Sequence, residues 1–286
     1  MINEQIYLTY WNDAGRRFRS NKMAVGMLFL LLLIFFFSLF GPLLSSYSYT
    51  EIHLTEKNCP PCSKFWFGTD ELGRDLFTRI WWGARISLGV GIAAALIDVT
   101  VGVIWGTISA YLGGRVDEIM MRICDILHSL PYLLMVILLT VIRGSGIWTI
   151  LIAMTFTGWI NMARITRAQV LQLKTNDYIA AAKVIGASTF RIMARHVLPN
   201  AIGPIVAMLT LTIPNAIFTE AFLSFLGLGI QAPAASWGMM INDALSAMRY
   251  FPWRLCFPAL MLTLTMLSFN CIGNALRDAL DPRLRR

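Results

Sequence analysis

Met23-Ala-Val-Gly-Met-Leu-Phe-Leu-Leu-Leu-Leu-Ile-Phe-Phe-Phe-Ser-Leu-Phe-Gly-Pro-Leu-Leu44 carries no charged residue from end to end. A helix needs about 20 apolar residues to cross about 30 Å of hydrocarbon, and this stretch supplies them. The apolar core of a cleaved signal peptide is only about 7–15 residues long and ends at small residues, so the run reads as an uncleaved anchor. The recurrence of such runs decides the fold. They return at about Ile86–Tyr111, Ile119–Ile142, Ile147–Ile165, Pro199–Leu226 and Trp253–Leu276. The expected fold class is all-α, a polytopic membrane protein with about six transmembrane helices.

Composition agrees. Of 286 residues 57% are hydrophobic, against roughly 45–50% in a soluble domain, and the mean hydropathy is +0.62. A net charge of +8 invites a nucleic-acid reading, but the basic residues gather at the ends of alternate apolar runs. They stand at Arg16–Arg19 and Lys22, at Arg115 and Arg122, at Arg164–Arg195, and at Arg277–Arg286. Only Lys57, Lys64, Arg74, Arg79, Arg85, Arg143, Arg249 and Arg254 fall in or beside the other loops. If both termini are inside, that leaves 24 − 8 = 16 Lys and Arg residues on the inner side. This asymmetry is the positive-inside bias. It sets N-in and C-in, and it argues against nucleic acid as a partner.

The chain then divides as follows. Residues 1–22 form a cytoplasmic amphipathic segment, in which Tyr10, Trp11 and Phe18 alternate with the basic group. Residues 23–44 are the first span and 45–82 an extracytoplasmic loop. Residues 83–278 are a core with five spans and a cytoplasmic loop at about 166–198, and 279–286 a basic tail after the span. Gly102-Val-Ile-Trp-Gly106 has the small-xxx-small spacing that lets helices approach closely, Pro131 marks a kink, and Asp281-Pro282 stops the last helix. The loop Cys59-Pro-Pro-Cys62 holds either a disulfide or two free thiols. Two thiolates alone do not complete a zinc shell. Trp66, Trp81, Trp82, Trp148, Trp237 and Trp253 fall at the outer border, as an interfacial belt would.

The polar break Asp177-Tyr-Ile-Ala-Ala-Ala-Lys-Val-Ile-Gly186-Ala-Ser-Thr-Phe-Arg-Ile-Met-Ala-Arg-His-Val-Leu-Pro199 predicts two short helices with a sharp bend. Asp177 caps the first, Gly186 ends it, Ser188 caps the second, and Pro199-Asn200 opens the next span. The product is either a compact knob for a partner's groove or a hairpin lying idle on the lipid surface.

Here the sequence resembles the permease subunits of ABC importers, whose cytoplasmic loop reads Glu-Ala-Ala, three residues, Gly, nine residues, then Ile-x-Leu-Pro. Ala180-Ala181-Ala182, Gly186 and Val197-Leu198-Pro199 fall in register, with Ala180 where the family usually has Glu and His196 where it usually has Ile. The resemblance makes this loop an ATPase-coupling helix, carried by Ala181, Ala182, Lys183, Gly186, Ala187, Ser188, Arg191, Leu198 and Pro199. Phe67-Gly-Thr-Asp-Glu-Leu-Gly-Arg-Asp75, Gly83-Ala-Arg-Ile-Ser-Leu88, Tyr111-Leu-Gly-Gly-Arg-Val-Asp117, Ser224-Phe-Leu-Gly-Leu-Gly229, Ser236-Trp-Gly238 and Leu276-Arg-Asp-Ala-Leu-Asp-Pro282 resemble the oligopeptide, dipeptide and nickel branch. The likeness is closest to the C-type permeases of oligopeptide importers. It implies a bacterial inner-membrane location, a second homologous permease, two cytoplasmic ATPase subunits holding ATP and Mg, and an extracytoplasmic substrate-binding protein. No cofactor or metal is expected on this chain.

Asp70, Glu71, Arg74 and Asp75 either shape the outer loop through ion pairs or touch the binding protein. Ionisable groups inside spans are costly and face a cavity or one another, which brings in Asp98, Asp125, His128 and Glu220, with Glu220 the candidate for the pathway. An enzyme would need a reactive constellation, yet no His-Glu-x-x-His or Gly-x-Ser-x-Gly occurs, and His53, His128 and His196 lie apart. No Gly-x4-Gly-Lys-Ser/Thr loop is present, so any ATPase is a separate chain. A channel or carrier independent of ATP is the remaining competitor, and it gives the Gly186 knob no task.

Overall fold

The computed structural model describes residues 10–280. The tail beyond residue 280 and the start of the amphipathic segment lie outside the described residues. Regular structure within them is helical apart from a lone antiparallel bridge between Thr69 and Asp75.

Helix α1 (Tyr10–Ser20) precedes α2 (Lys22–Phe40), whose N-terminus is capped by Asn21 accepting from the Ala24 amide at 3.1 Å. At its far end the Arg85 guanidinium donates to the carbonyls of Ser38 and Leu39 and lies over the Trp82 ring. Free carbonyls of a helix end attract such donors. Helix α3 (Leu76–Leu112) has 37 residues, about 55 Å at 1.5 Å per residue, and so extends past the hydrocarbon. It begins earlier than the sequence reading placed it, taking Leu76–Trp82 out of the outer loop. Two forces start it there. The Asp75 carboxylate accepts from the Thr78 amide and hydroxyl at 3.0 and 2.6 Å, and Ile80 and Trp81 pack on Leu31 and Ile34 of α2.

Helices α4 (Gly114–Ser129) and α5 (Tyr132–Arg143) replace the single kinked span expected around Pro131, and they meet at 78°. Proline lacks an N–H and pushes its predecessor into the extended region, where Leu130 lies. Helices α6 (Ile147–Thr157) and α7 (Trp159–Lys174) join at Gly158, whose dihedrals stay helical. Here the polar break begins later than expected, since Thr166–Lys174 remain in α7. Val170 is buried against Ala110 and Tyr111, Arg167 grips Asp117 with two bonds of 2.6 Å, and Lys174 donates to the Ala110 and Tyr111 carbonyls.

Helix α8 (Asp177–Val184) and the one-turn α9 (Thr189–Ile192) form the loop knob. A π turn, Met193–Val197, links α9 to α10 (Leu198–Phe225), so that Thr189–Phe225 forms one long element. The sequence reading separated α9 from the span at Pro199. The wider π turn leaves room for the proline ring, and the Asn200 side-chain amide donates to the His196 carbonyl at 2.6 Å. Helix α11 (Trp237–Leu245) lies in what was expected to be loop. Ser236 caps it, and the buried Trp237 indole donates to the Ile80 carbonyl at 3.1 Å.

Helix α12 (Trp253–Leu280) closes the fold, with Ala279 and Leu280 against Ala14 of α1. Among the described residues, four single elements can cross a membrane by length and composition, and the bent α4–α5 pair makes a fifth. Helices α6 and α7 occupy the place of the remaining expected span.

Candidate functional site

Three regions carry the residues singled out above, and they lie at the two ends and the middle of the helical bundle.

The knob is at one end. Helix α8 ends as the Gly186 motif predicts. Gly186 has φ +85°, and the Ala187 amide reaches back to the Ala182 carbonyl at 3.0 Å, the bond that closes a left-handed C-cap. Ser188 then caps α9, accepting from the Arg191 amide at 3.3 Å. The start of α8 differs from expectation. The Asn176 carbonyl takes the first bond, from Ile179, and Asp177 is already helical. Ile179, Ile192 and Val197 are buried with Ala110, Tyr111 and Val170, and Ala182 and Ala187 pack beside them. The loop is thus fixed to α3 and α7.

Ala181, Gly186, Ser188, Arg191 and Pro199 are exposed, Leu198 is half-buried, and Lys183 lies on α8. Sequence reasoning missed the apolar tip. Val184, Ile185 and Phe190 are 88%, 85% and 79% exposed. Three large apolar groups flanking a glycine bend in an otherwise polar break were the available signal.

The outer end holds the acidic and basic cluster. Asp70 accepts from the Leu72 and Arg74 amides and from Arg74 Nε at 2.6 Å, with Arg79 Nε at 3.5 Å. Asp75 caps α3 and accepts from the Ser45 hydroxyl at 3.1 Å. Asp70, Arg74 and Asp75 are all buried, and their bonds lie within the loop and at the start of α3. Glu71 alone of the four is exposed. It meets Arg254, which also donates to Asn58 and to the Asp243 carbonyl and so ties α12 to the loop. In the same loop the two thiols are unbonded. Cys59 Sγ donates to Glu56 at 3.4 Å, and Cys62 Sγ accepts from the Phe65 amide at 3.3 Å.

Between the ends, Glu220 lies outside the wall of the cavity described below. It is fully buried, and its two oxygens accept from the Ser87 and Ser224 hydroxyls, each at 2.8 Å. Ser87 in turn accepts from the Trp237 amide. The carboxyl joins α3, α10 and α11. Asp125 meets Arg164 at 2.9 Å on an exposed surface, and His128 is exposed on α4.

Asp98 is different. It faces a cavity of about 380 Å³ shared by α3, α5, α6, α7 and α10, with Tyr132, Asn161, Thr212 and Asn215 in the wall. Asp98 Oδ1 and the Tyr132 hydroxyl are buried without a hydrogen-bond partner among the described residues.

A helical bundle spanning the membrane, with a cavity at its middle and a rigid knob at one end, is the architecture of a transport subunit. Residues 99–286 match the family described as "binding-protein-dependent transport system inner membrane component", and residues 9–61 the "N-terminal TM domain of oligopeptide transport permease C". The chain is a multi-pass permease subunit and belongs to this family, on its oligopeptide permease C branch.

It is 56% identical over 279 residues to the oligopeptide transport system permease protein OppC of Bacillus subtilis (strain 168), covering 98% of this chain and 92% of that protein. With the dipeptide transport system permease protein DppC of the same organism it shares 57% over 280 residues, covering 98% and 88%. OppC of Escherichia coli (strain K12) shares 47% over 277 residues, covering 96% and 92%. Among solved structures, a chain of the inward-facing MetNI methionine ABC transporter superposes with a TM-score of 0.59 at 17% identity, over 70% of this chain and 94% of that one. This last likeness shows the fold alone.

Proposed function

We propose that this chain forms half of a peptide pathway in an ATP-driven importer of the bacterial inner membrane. Its partners are a second homologous permease, two cytoplasmic ATPase subunits and an extracytoplasmic binding protein. ATP and Mg²⁺ belong to the ATPases, and this chain binds no cofactor. Peptide as cargo is supported by the names of relatives at 56–57% identity. The surface around Glu71 is the part of the outer cluster left free to meet the binding protein.

The observation that carries ATP coupling is the exposed tip Val184, Ile185 and Phe190. Each such side chain contributes about 1.5–3 kcal/mol when buried, and a lipid surface would not need them mounted on a rigid bend. Motion imposed on the tip has two routes inward. One runs through Ile179 and Ile192 to Ala110 and Tyr111 of α3. The other follows the continuous element from Thr189 to Phe225, past Thr212 and Asn215 at the cavity wall.

Uptake of a labelled tripeptide and of labelled nickel ion, in cells with and without the chain, tests the cargo. ATP-dependent peptide uptake is expected to vanish on deletion. Loss of nickel uptake with peptide uptake intact would keep the class and overturn the substrate. Phe190→Asp is expected to leave the permease in the membrane at wild-type amount while removing co-purification of the ATPase pair. Unchanged co-purification would sink the docking role of the tip.

A further inference from the structure

The cavity at the middle of the bundle has a donor and acceptor set of one sign. Its wall holds one carboxylate, several hydroxyls and two asparagine amides, and no basic side chain. Among the described residues, Asp98, 6% exposed, has Oδ1 buried and unpaired, and the Tyr132 hydroxyl, from the same cavity wall, is buried and unpaired as well. Buried polar groups left without partners cost about 1–3 kcal/mol each, more when charged, and in a membrane they are usually paired with each other. Glu220, the other buried carboxyl within the helical bundle, has a donor on each oxygen, and the lack of one at Asp98 Oδ1 sets this carboxyl apart.

The backbone makes room for the Asp98 carboxyl as well. A Cβ on Gly158 would collide with Asp98 Oδ2 and lie 2.7 Å from its Cγ. A side chain there would close the wall at the point where α6 gives way to α7. The site is therefore built from α3, α5, α7 and α10 together, and what is missing is a cationic donor.

We propose that Asp98, with Tyr132 and the amide oxygens of Asn161 and Asn215, binds the protonated N-terminal amine of a peptide in transit. This inference rests on the peptide reading above and locates within it the group recognised. A peptide α-amine, with a pKa of about 7.7–8.0, is cationic at neutral pH and supplies the donors that the carboxylate lacks. The cavity lies at the small end of ligand pockets, which run about 300–1,000 Å³. It takes one end of a peptide, and the rest of the chain extends into the space shared with the second permease.

The test uses the complete transporter, both permeases with both ATPases, in lipid nanodiscs without the binding protein. Tritiated trialanine amide is expected to bind wild type saturably. Asp98→Asn is expected to weaken that binding about 10- to 100-fold, the range for losing a hydrogen bond to a charged group. Asp98→Glu should recover part of it. The analogue propionyl-alanyl-alanine amide, which lacks the amine, should bind wild type and Asp98→Asn equally weakly. Equal melting temperatures for wild type and Asp98→Asn identify the loss as local.

Unchanged binding of trialanine amide to Asp98→Asn would overturn the proposal. So would an equal loss for both peptides, the outcome if Asp98 pairs with a basic residue of the second permease. Cellular uptake separates the two levels. If trialanine uptake depends on the chain while Asp98→Asn binds like wild type, this site fails and the peptide reading stands. If uptake never depends on the chain, both fail.

Discussion

Glu220 and Asp98 sit in helices of similar apolarity, and what distinguishes them is who stands opposite. Two serines and the start of α11 surround Glu220, whereas a glycine and open space face Asp98. The outer loop offers the same contrast for Cys59 and Cys62. Burial, and then the Glu56 carboxylate that accepts a hydrogen bond from the protonated thiol, hold Cys59 above its ordinary pKa. Cys62 is exposed. A raised pKa leaves less thiolate at neutral pH, and thiolate is the nucleophile. Under reducing conditions maleimide should therefore modify Cys62 at least several times faster than Cys59, and peptide mass spectrometry over time reads the two rates. Removing the acceptor with Glu56→Gln should narrow the gap, because the carboxylate that favours the protonated thiol is gone. Equal rates in wild type would contradict the arrangement.

At the scale of elements, the contact between α3 and α7 depends on backbone proximity. A Cβ on Gly102 would lie 2.7 Å from the Trp159 carbonyl oxygen, and one on Gly106 would run into the Ala163 carbonyl and come within 3.0 Å of the Arg167 amide. Neither obstacle is a flexible side chain, so the helices must separate. Overpacking of this kind costs about 1–3 kcal/mol. Gly89 on the same helix has nothing near its would-be Cβ. Gly106→Ala should lower the melting temperature of the assembled permease, and Gly89→Ala should hold or raise it, since alanine favours helix by up to about 1 kcal/mol. If the two variants melt alike, the close approach carries no stability.

The small-xxx-small spacing was legible in sequence because it needs only residue types. So were the apolar runs and the Gly186 bend. The helical start at Leu76, the merging of α9 with α10 and the existence of α11 were not legible. Two depend on a tertiary partner, Leu31 and Ile34 for α3 and Ile80 for Trp237, and the merging depends on the π turn that the Asn200 bond to His196 spans. For the outer cluster the sequence leaves loop scaffold and partner contact both open. Burial adds that Asp70 and Arg74 bond each other and that Asp75 caps α3.

For the whole molecule the open quantity is which helices cross. Ala14 meets Ala279 and Leu280, which puts the two described ends on one side. The knob packs on the end of α3 near Tyr111, and Arg254 meets Asn58 and Glu71 near its start. In the orientation proposed from the positive-inside bias, the knob and both ends face the cytoplasm. Between Cys62 and Phe190 the chain passes α3, the bent pair α4–α5, and α6–α7. Three crossings put the two residues on opposite faces, whereas a re-entrant α4–α5 would leave two crossings and put them on the same face.

Two single-cysteine chains separate these cases. One keeps Cys62 with the other four cysteines changed to serine, and the other carries Phe190→Cys in a cysteine-free background. A membrane-impermeant maleimide added to intact spheroplasts should label Cys62 at once and the position-190 thiol only after permeabilisation. Labelling of both from outside would mean that the 78° bend at Leu130-Pro131 turns the chain back within the bilayer. The reverse pattern would keep three crossings and invert the orientation, placing the tip of Val184, Ile185 and Phe190 where no ATPase can reach it.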